Sequence, residues 1–188
     1  MTGSEDADIR GVRRVAHVLI DCVIGDIAKQ SSFDAVVNAA NAELRIGGGV
    51  AGAIHMAAGP ELEEACRPLA PIRPGQAVMT DGYSLPNRRV IHCLGPVHGV
   101  DSPADDLLRQ CYRNALDLAE RDQIRSIAFP AISTGAFGFP MAVAAPLAVN
   151  EVAACAQNLR RVGRIRFVLF DRTAMLYHAK ALDAVPRE

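Results

Sequence analysis

The sequence predicts an α/β fold, a three-layer α/β/α sandwich around a mixed, mostly parallel sheet, and three observations carry that expectation. Short β-branched runs alternate along the chain with longer segments of helical periodicity. Several of the runs are almost continuously apolar, as strands covered on both faces are. No repeat, low-complexity stretch or linker interrupts the alternation, so one domain is expected over 11–188, behind a flexible tail at 1–10.

In chain order, strands are expected at 17–21, 35–37, 77–80, 89–93, 126–129 and 165–170. The clearest helix is 103–121, where Leu107, Cys111, Ala115 and Ala119 recur at a spacing of four and charges fill the other face. Segment 141–158 is apolar enough for a buried helix, with Pro146 kinking it or marking its first turn. A closing helix at 173–182 has Asp171 or Thr173 as its N-cap, and shorter helices are expected at 50–58 and 61–69. In such sheets ligands bind beyond the carboxyl ends of the strands. Two segments fall there, 38–52 and 130–140.

The chain has 188 residues, 50% apolar and 22% charged, with a net charge of −1. That is a globular balance, and it gives no indication of nucleic-acid or membrane-surface binding. An anionic ligand would have to be held by main-chain amides or a helix N-terminus rather than by a basic patch. Five scattered cysteines without a C-x-x-C pair read as reduced thiols. With a polar, acidic start that does not resemble a signal peptide, and no bilayer-length apolar run, a cytoplasmic protein is expected.

The sequence Gly47-Gly48-Gly49-Val50-Ala51-Gly52 formally matches the dinucleotide-binding G-x-G-x-x-G. Its context does not fit, because that motif turns straight off a strand and is followed by a strand-end carboxylate. Here nine residues (38–46) separate strand from glycines. What survives is that adjacent glycines let the backbone approach a ligand and the next helix offers its N-terminus to a phosphate. A flexible helix cap is the alternative. A second loop, Ser133-Thr134-Gly135-Ala136-Phe137-Gly138, follows a buried strand at the same sheet edge. Two such loops can clamp a diphosphate with main-chain amides.

Five segments in order resemble the macrodomain family: Val36-Val37-Asn38-Ala39-Ala40-Asn41, Gly47-Gly48-Gly49-Val50, Gly82-Tyr83-Ser84-Leu85-Pro86, Val90-Ile91-His92-Cys93-Leu94-Gly95-Pro96, and Pro130 through Gly138. The phrasing of 53–60 is most similar to the MacroD-type branch. The resemblance implies a macrodomain-like sandwich that binds ADP-ribose. By resemblance, Asp26 and Ile27 form an adenine-recognition turn, with Asp26 equally readable as a helix cap. Phe170 would pack on the adenine, or be an ordinary core aromatic. Gly47, Gly48, Gly49 and Val50 would wrap the diphosphate and distal ribose together with Ser133, Thr134, Gly135, Ala136 and Phe137. Asn38 takes the structural part of the asparagine pair, and Asn41 would hydrogen-bond the distal ribose, with a turn role just past the strand as its alternative. The implied catalytic set is Asn41, His55, Gly48 and Phe137. His55, one helical turn after Ala51, is expected to face the pocket mouth, unless it is a packed core histidine.

In one place the chain departs from MacroD-type hydrolases, which carry an aspartate where this chain has Ala51. A methyl group cannot act as a general base. The Gly-Gly-Gly-Val-Ala-Gly phrasing is instead similar to viral macrodomains, several of which hydrolyse mono-ADP-ribose without that aspartate. The expected activity is therefore removal of ADP-ribose from modified acidic residues of a partner protein, with O-acetyl-ADP-ribose deacetylation related to it. A non-catalytic ADP-ribose reader is the alternative. No cofactor is implied, and no metal site is expected: there is no H-E-x-x-H, and His92 and Cys93 face opposite sides of one strand.

Overall fold

The computed structural model describes residues 10–186. Of the tail expected at 1–10, residues 1–9 lie outside the described residues, and Arg10 opens the first strand. Seven strands form one sheet: β1 (Arg10–Val15), β2 (Val18–Ile24), β3 (Ala35–Ala39), β4 (Ala77–Asp81), β5 (Arg89–Cys93), β6 (Ser126–Phe129) and β7 (Arg164–Leu169), in the order β1-β2-β7-β6-β3-β5-β4. The five inner strands run parallel, and β1 and β4 are antiparallel edges.

Five α-helices cover the two faces: α1 (Gly49–Ala58), α2 (Pro60–Cys66), α3 (Ala104–Arg121), α4 (Met141–Ala156) and α5 (Arg172–Asp183). Buried residues of α3, α4 and α5 share one apolar cluster with Val37, Phe129 and Phe167, whereas those of α1 and α2 share another with Val36, Ala128 and Val168. Alternate strand residues therefore feed opposite layers, which is why several of these strands are almost continuously apolar. Each large apolar side chain taken from water contributes about 1.5–3 kcal/mol. The α3 stripe buries Leu108, Cys111, Ala115 and Ala119 together with Tyr112, whose ring meets Phe129 at 5.2 Å and whose hydroxyl accepts from the Ile132 N–H at 3.3 Å.

The structure differs from the sequence reading where charge sits inside. Strand β1 carries no apolar alternation because its inward residues are Arg13 and Val15. The Arg13 guanidinium donates to the Leu182 and Asp183 carbonyls at 3.1 and 3.0 Å, at the C-terminal end of α5, where a helix dipole favours a cation. Asp21 does not end β2; it pairs across β2 and β7 with a fully buried Arg166, at 2.7 and 3.0 Å, and the strand continues to Ile24. Pro146 sits inside α4 rather than in its first turn, and the Ala142 carbonyl it leaves without an i+4 donor belongs to an exposed residue that water can serve. Asp171 caps α5, accepting from the Ala174 N–H at 2.8 Å. Gly59, at φ +89, ends α1 where Pro60 begins α2, the arrangement of a glycine stop before a proline start.

Candidate functional site

Adjacent strands β3 and β6 send the chain to opposite faces, β3 to α1 and β6 to α4. Where neighbouring connections diverge in this way, the carboxyl ends of the strands leave a crevice. It has a volume of about 310 Å³ and is walled on one side by Ala39, Ala40, Asn41 and residues 47–51. Gly95 and a second loop through Ala131, Ile132, Ser133, Gly135, Ala136 and Phe137 form the other side. None of these residues has an ionisable side chain, so a charged ligand here would meet main-chain groups and the neutral side chains of Asn41 and Ser133.

The first wall is a loop stapled to itself. The Asn41 side chain accepts from the Arg45 N–H at 3.0 Å and donates to the Arg45 carbonyl at 2.8 Å, so the turn role and the place in the crevice coexist. Gly48 in extended conformation caps α1, and Gly49 at φ +55 swings the chain into the helix, a step that favours glycine. No side chain caps this end, so the first helical N–H groups stay open as donors. Gly52 was read only as the last glycine of a motif whose context does not fit. A Cβ there would stand 2.5 Å from the Gly47 carbonyl, so only glycine lets the loop fold back on its helix.

In the second wall Ser133 adopts φ +67, a conformation an L-residue rarely takes, and it is 6% exposed with a hydroxyl that has no partner. Such strain gathers at functional loops. The turn is held by Phe139 N–H to Ser133 carbonyl at 2.9 Å and Gly138 N–H to Gly135 carbonyl at 3.0 Å. Thr134 does not line the crevice; its hydroxyl donates to the Ala131 carbonyl at 2.8 Å.

The expected adenine residues cluster elsewhere on the same edge. Strands β2 and β7 end in register at Ile24 and Leu169, and the Gly25 N–H donates to the Leu169 carbonyl at 3.0 Å, so Asp26 and Phe170 leave the sheet side by side. Asp26 caps a 3-10 turn (Ile27–Lys29), accepting from the Ala28 N–H at 2.9 Å, with Lys29 at 3.7 Å. Ile27 is buried beneath it. Phe170 is not a core aromatic, being 94% exposed. Strand β2 lies three strands from β3, about 14 Å at the usual spacing, so an extended ligand is needed to reach both places.

Two expected site residues lie behind the crevice wall instead. His55 does not face the mouth: it is buried at 5% exposure, its ring 6.4 Å from that of His92. The expected orientation fails because His55 falls on the inward face of α1 with Ile54 and Ala58, while Met56 and Ala57 carry its exposed face. Burial holds His55 below its ordinary pKa, against the opposing charge of Glu63. Asn38 is fully buried within β3, which runs two residues further than expected, and its amide donates to His92 Nδ1 at 3.1 Å. Among the described residues no His, Cys, Asp and Glu side chains group to hold a metal, and no helix is long and apolar enough to cross a membrane.

Fold and crevice together define an α/β/α protein with an elongated ligand edge, walled by glycine-rich loops that present main-chain donors. The chain belongs to the macrodomain family: the family description "Macro domain" matches residues 37–148. It is 46% identical over 169 residues to a Macro domain-containing protein of Chlorobaculum tepidum, covering 89% of this chain and 98% of the relative. It is also 46% identical over 164 residues to a Salmonella newport protein named O-acetyl-ADP-ribose deacetylase, covering 84% and 91%. Among solved structures, the Oceanobacillus iheyensis macrodomain with ADP superposes with a TM-score of 0.87 at 37% identity, covering 92% of this chain and 94% of that one. A Trypanosoma brucei macrodomain in complex with ADP-ribose does so at 0.82 and 35%, covering 91% and 74%.

Proposed function

We propose that this chain binds ADP-ribose along the ligand edge and hydrolyses esters at its distal ribose, taking O-acetyl-ADP-ribose and, as the larger substrate, ADP-ribose on acidic residues of a modified protein. The observation that carries the reading is the crevice itself, walled by main-chain groups and the open end of α1 and lacking ionisable side chains. Such a wall suits a diphosphate. The relatives named O-acetyl-ADP-ribose deacetylase and the neighbours holding ADP and ADP-ribose support the choice of ligand. In this reading the adenine lies between Asp26 and Phe170, the diphosphate crosses the loop amides, and the distal ribose rests against Asn41 and Phe137.

With Ala51 at the first turn of α1, the lining supplies no general base. The substrate's own diphosphate then orients the water. Water oxygen bonds to the ester carbon, the carbon–oxygen bond to the ribose breaks, and the water's proton ends on the released ribose hydroxyl. The chain contributes orientation and donors aimed at developing charge. His55, on the buried face of α1, acts through packing and touches no substrate. The lack of an ionisable lining group also favours the second reading, a reader that binds ADP-ribose without turning it over.

The test is a pair of measurements. ADP-ribose at about a hundred times its dissociation constant should stabilise the protein by about 2.7 kcal/mol. Asn41→Ala should cut ester turnover about a hundredfold while affinity falls far less, because the reacting centre is misplaced. Binding with no turnover, even at high protein concentration, leaves the reader standing; a thermal scan without any shift overturns both readings.

A further inference from the structure

The two crevice walls follow different strands, β3 and β6, and one segment fastens both. His92, on β5, is the register partner of Asn38 on β3, and its Nδ1 takes the Asn38 amide at 3.1 Å. One residue on, the Cys93 carbonyl accepts from the Ala40 N–H at 2.9 Å. These two bonds hold the base of the first wall. Further along, a Cβ on Gly95 would collide with Ser133 Oγ and stand 2.6 Å from Ile132 Cγ2, so the backbone there lies directly against the second wall. The His98 N–H then donates to the Phe137 carbonyl at 2.9 Å, and the His98 ring rests 5.0 Å from Phe139.

The polarity of the first fastening is set by a relay across three strands. The Thr80 hydroxyl on β4 donates to the Asp81 carbonyl at 3.1 Å, so it receives the Nε2–H of His92 at 2.9 Å. His92 Nδ1 is thereby left bare to accept from Asn38, and the Asn38 carboxamide is turned with its oxygen away from that bond. Burial keeps the ring neutral, its pKa pushed down to about 3 with His55 adding to the effect. A neutral ring with one donor and one acceptor is what the relay needs.

We propose that the segment from His92 to His98 is a strut that sets the separation of the two crevice walls, with His92 the positioning residue for the first wall through Asn38 and Gly95 the spacing residue for the second. The strut does not reach the Asp26–Phe170 end, which hangs on β2 and β7. It therefore governs the part of a ligand held between the loops and leaves the base-holding part alone. Its consequence for ligand choice rests on the ADP-ribose reading above, whereas its consequence for the loops does not.

The experiment compares His92→Leu, His92→Gln and Gly95→Ala with the wild type. Backbone amide resonances are recorded without ligand, and AMP and ADP-ribose affinities are measured by calorimetry. His92→Leu should move the resonances of Ala39, Ala40 and Asn41 and weaken ADP-ribose about tenfold, the equivalent of one hydrogen bond, with AMP unchanged. Glutamine carries both a donor and an acceptor, so His92→Gln should recover most of the loss. Gly95→Ala should move Ile132, Ser133 and Phe137 instead and lower the same affinity ratio. Unmoved loop resonances in Gly95→Ala and in the folded histidine variants, or equal losses for AMP and ADP-ribose, would overturn the strut. Failure of His92→Leu to fold leaves the decision to the glutamine and alanine variants. A wild type that ignores ADP-ribose refutes the proposed function alone, since the ligand-free resonances still report on the strut.

Discussion

At the scale of single residues, exposure separates roles that a sequence motif merges. Phe170 stands 94% exposed, so truncating it removes no core packing, and Phe170→Ala should leave unliganded stability within about 0.5 kcal/mol. In the proposed reading it should nevertheless weaken ADP-ribose. Asp26 is different, because its carboxylate already caps the Ala28 N–H. Asp26→Ala should cost about 1 kcal/mol of stability through the lost cap, and a further 1.5–3 kcal/mol of ADP-ribose affinity, roughly, if the same carboxylate also reads the base. Ribose 5-phosphate, which has no adenine, should bind both variants as it binds the wild type. Parallel loss for both ligands would mean that these residues shape the edge without reading the base. Asn38 was read as the structural member of the asparagine pair, and it is buried against His92, whereas Asn41, three residues on, sits in the crevice; what the motif did not show is the partner that holds Asn38.

At the scale of elements, the first loop and α1 act as one unit. In a helix interior alanine is favoured over glycine by about 1 kcal/mol, but a Cβ at Gly52 would stand 2.5 Å from a backbone carbonyl that no rotamer change can move. Overpacking of this kind costs about 1–3 kcal/mol, so the clash outweighs the propensity gain. Gly52→Ala should therefore lower the melting temperature and open the loop, reducing ligand affinity. Gly48→Ala is the contrast: nothing lies within 4 Å of its would-be Cβ and its φ is −84, so the unliganded protein should melt as the wild type does. Thermal unfolding of the two variants checks this, and equal destabilisation would mean that conformational freedom, not space, dictates these glycines.

At the scale of the whole molecule, buried histidines tie stability to pH. Burial pushes His92 down to about 3 and His178 down to about 4, the latter against a hydrogen bond from its ring to the Ala174 carbonyl. Both are neutral in the folded chain at pH values where an unfolded histidine, titrating near 6.5, takes up a proton. Between about pH 6.5 and 4 the unfolded state binds more protons, so stability falls as pH falls, by about 1 kcal/mol per histidine per unit. Above about 6.5 neither state is protonated at these rings, and their contribution is flat. Urea unfolding at pH 7.5 and 5.5 should differ by about 2 kcal/mol from these two rings, and His178→Gln should remove about half of that slope. An unchanged midpoint would mean that the rings are hydrated in the native state.

The sequence by itself determined the layered α/β/α class, the parallel inner strands, the long helices and the two glycine-rich loops at one sheet edge, because those follow from periodicity and from backbone needs that lie close together in the chain. Strand β1 escaped it, since Arg13 occupies the inward position that an apolar residue would have marked. So did the buried Asp21–Arg166 pair, whose partners are 145 residues apart. The placement of His55 on the inward face of α1, the exposure of Phe170, and the joining of both crevice walls by Gly95 and its neighbours were decided by tertiary structure alone. Which face of a short helix is covered, and which backbone a glycine must clear, depends on elements distant in sequence. Only packing brings them within a few ångströms of each other.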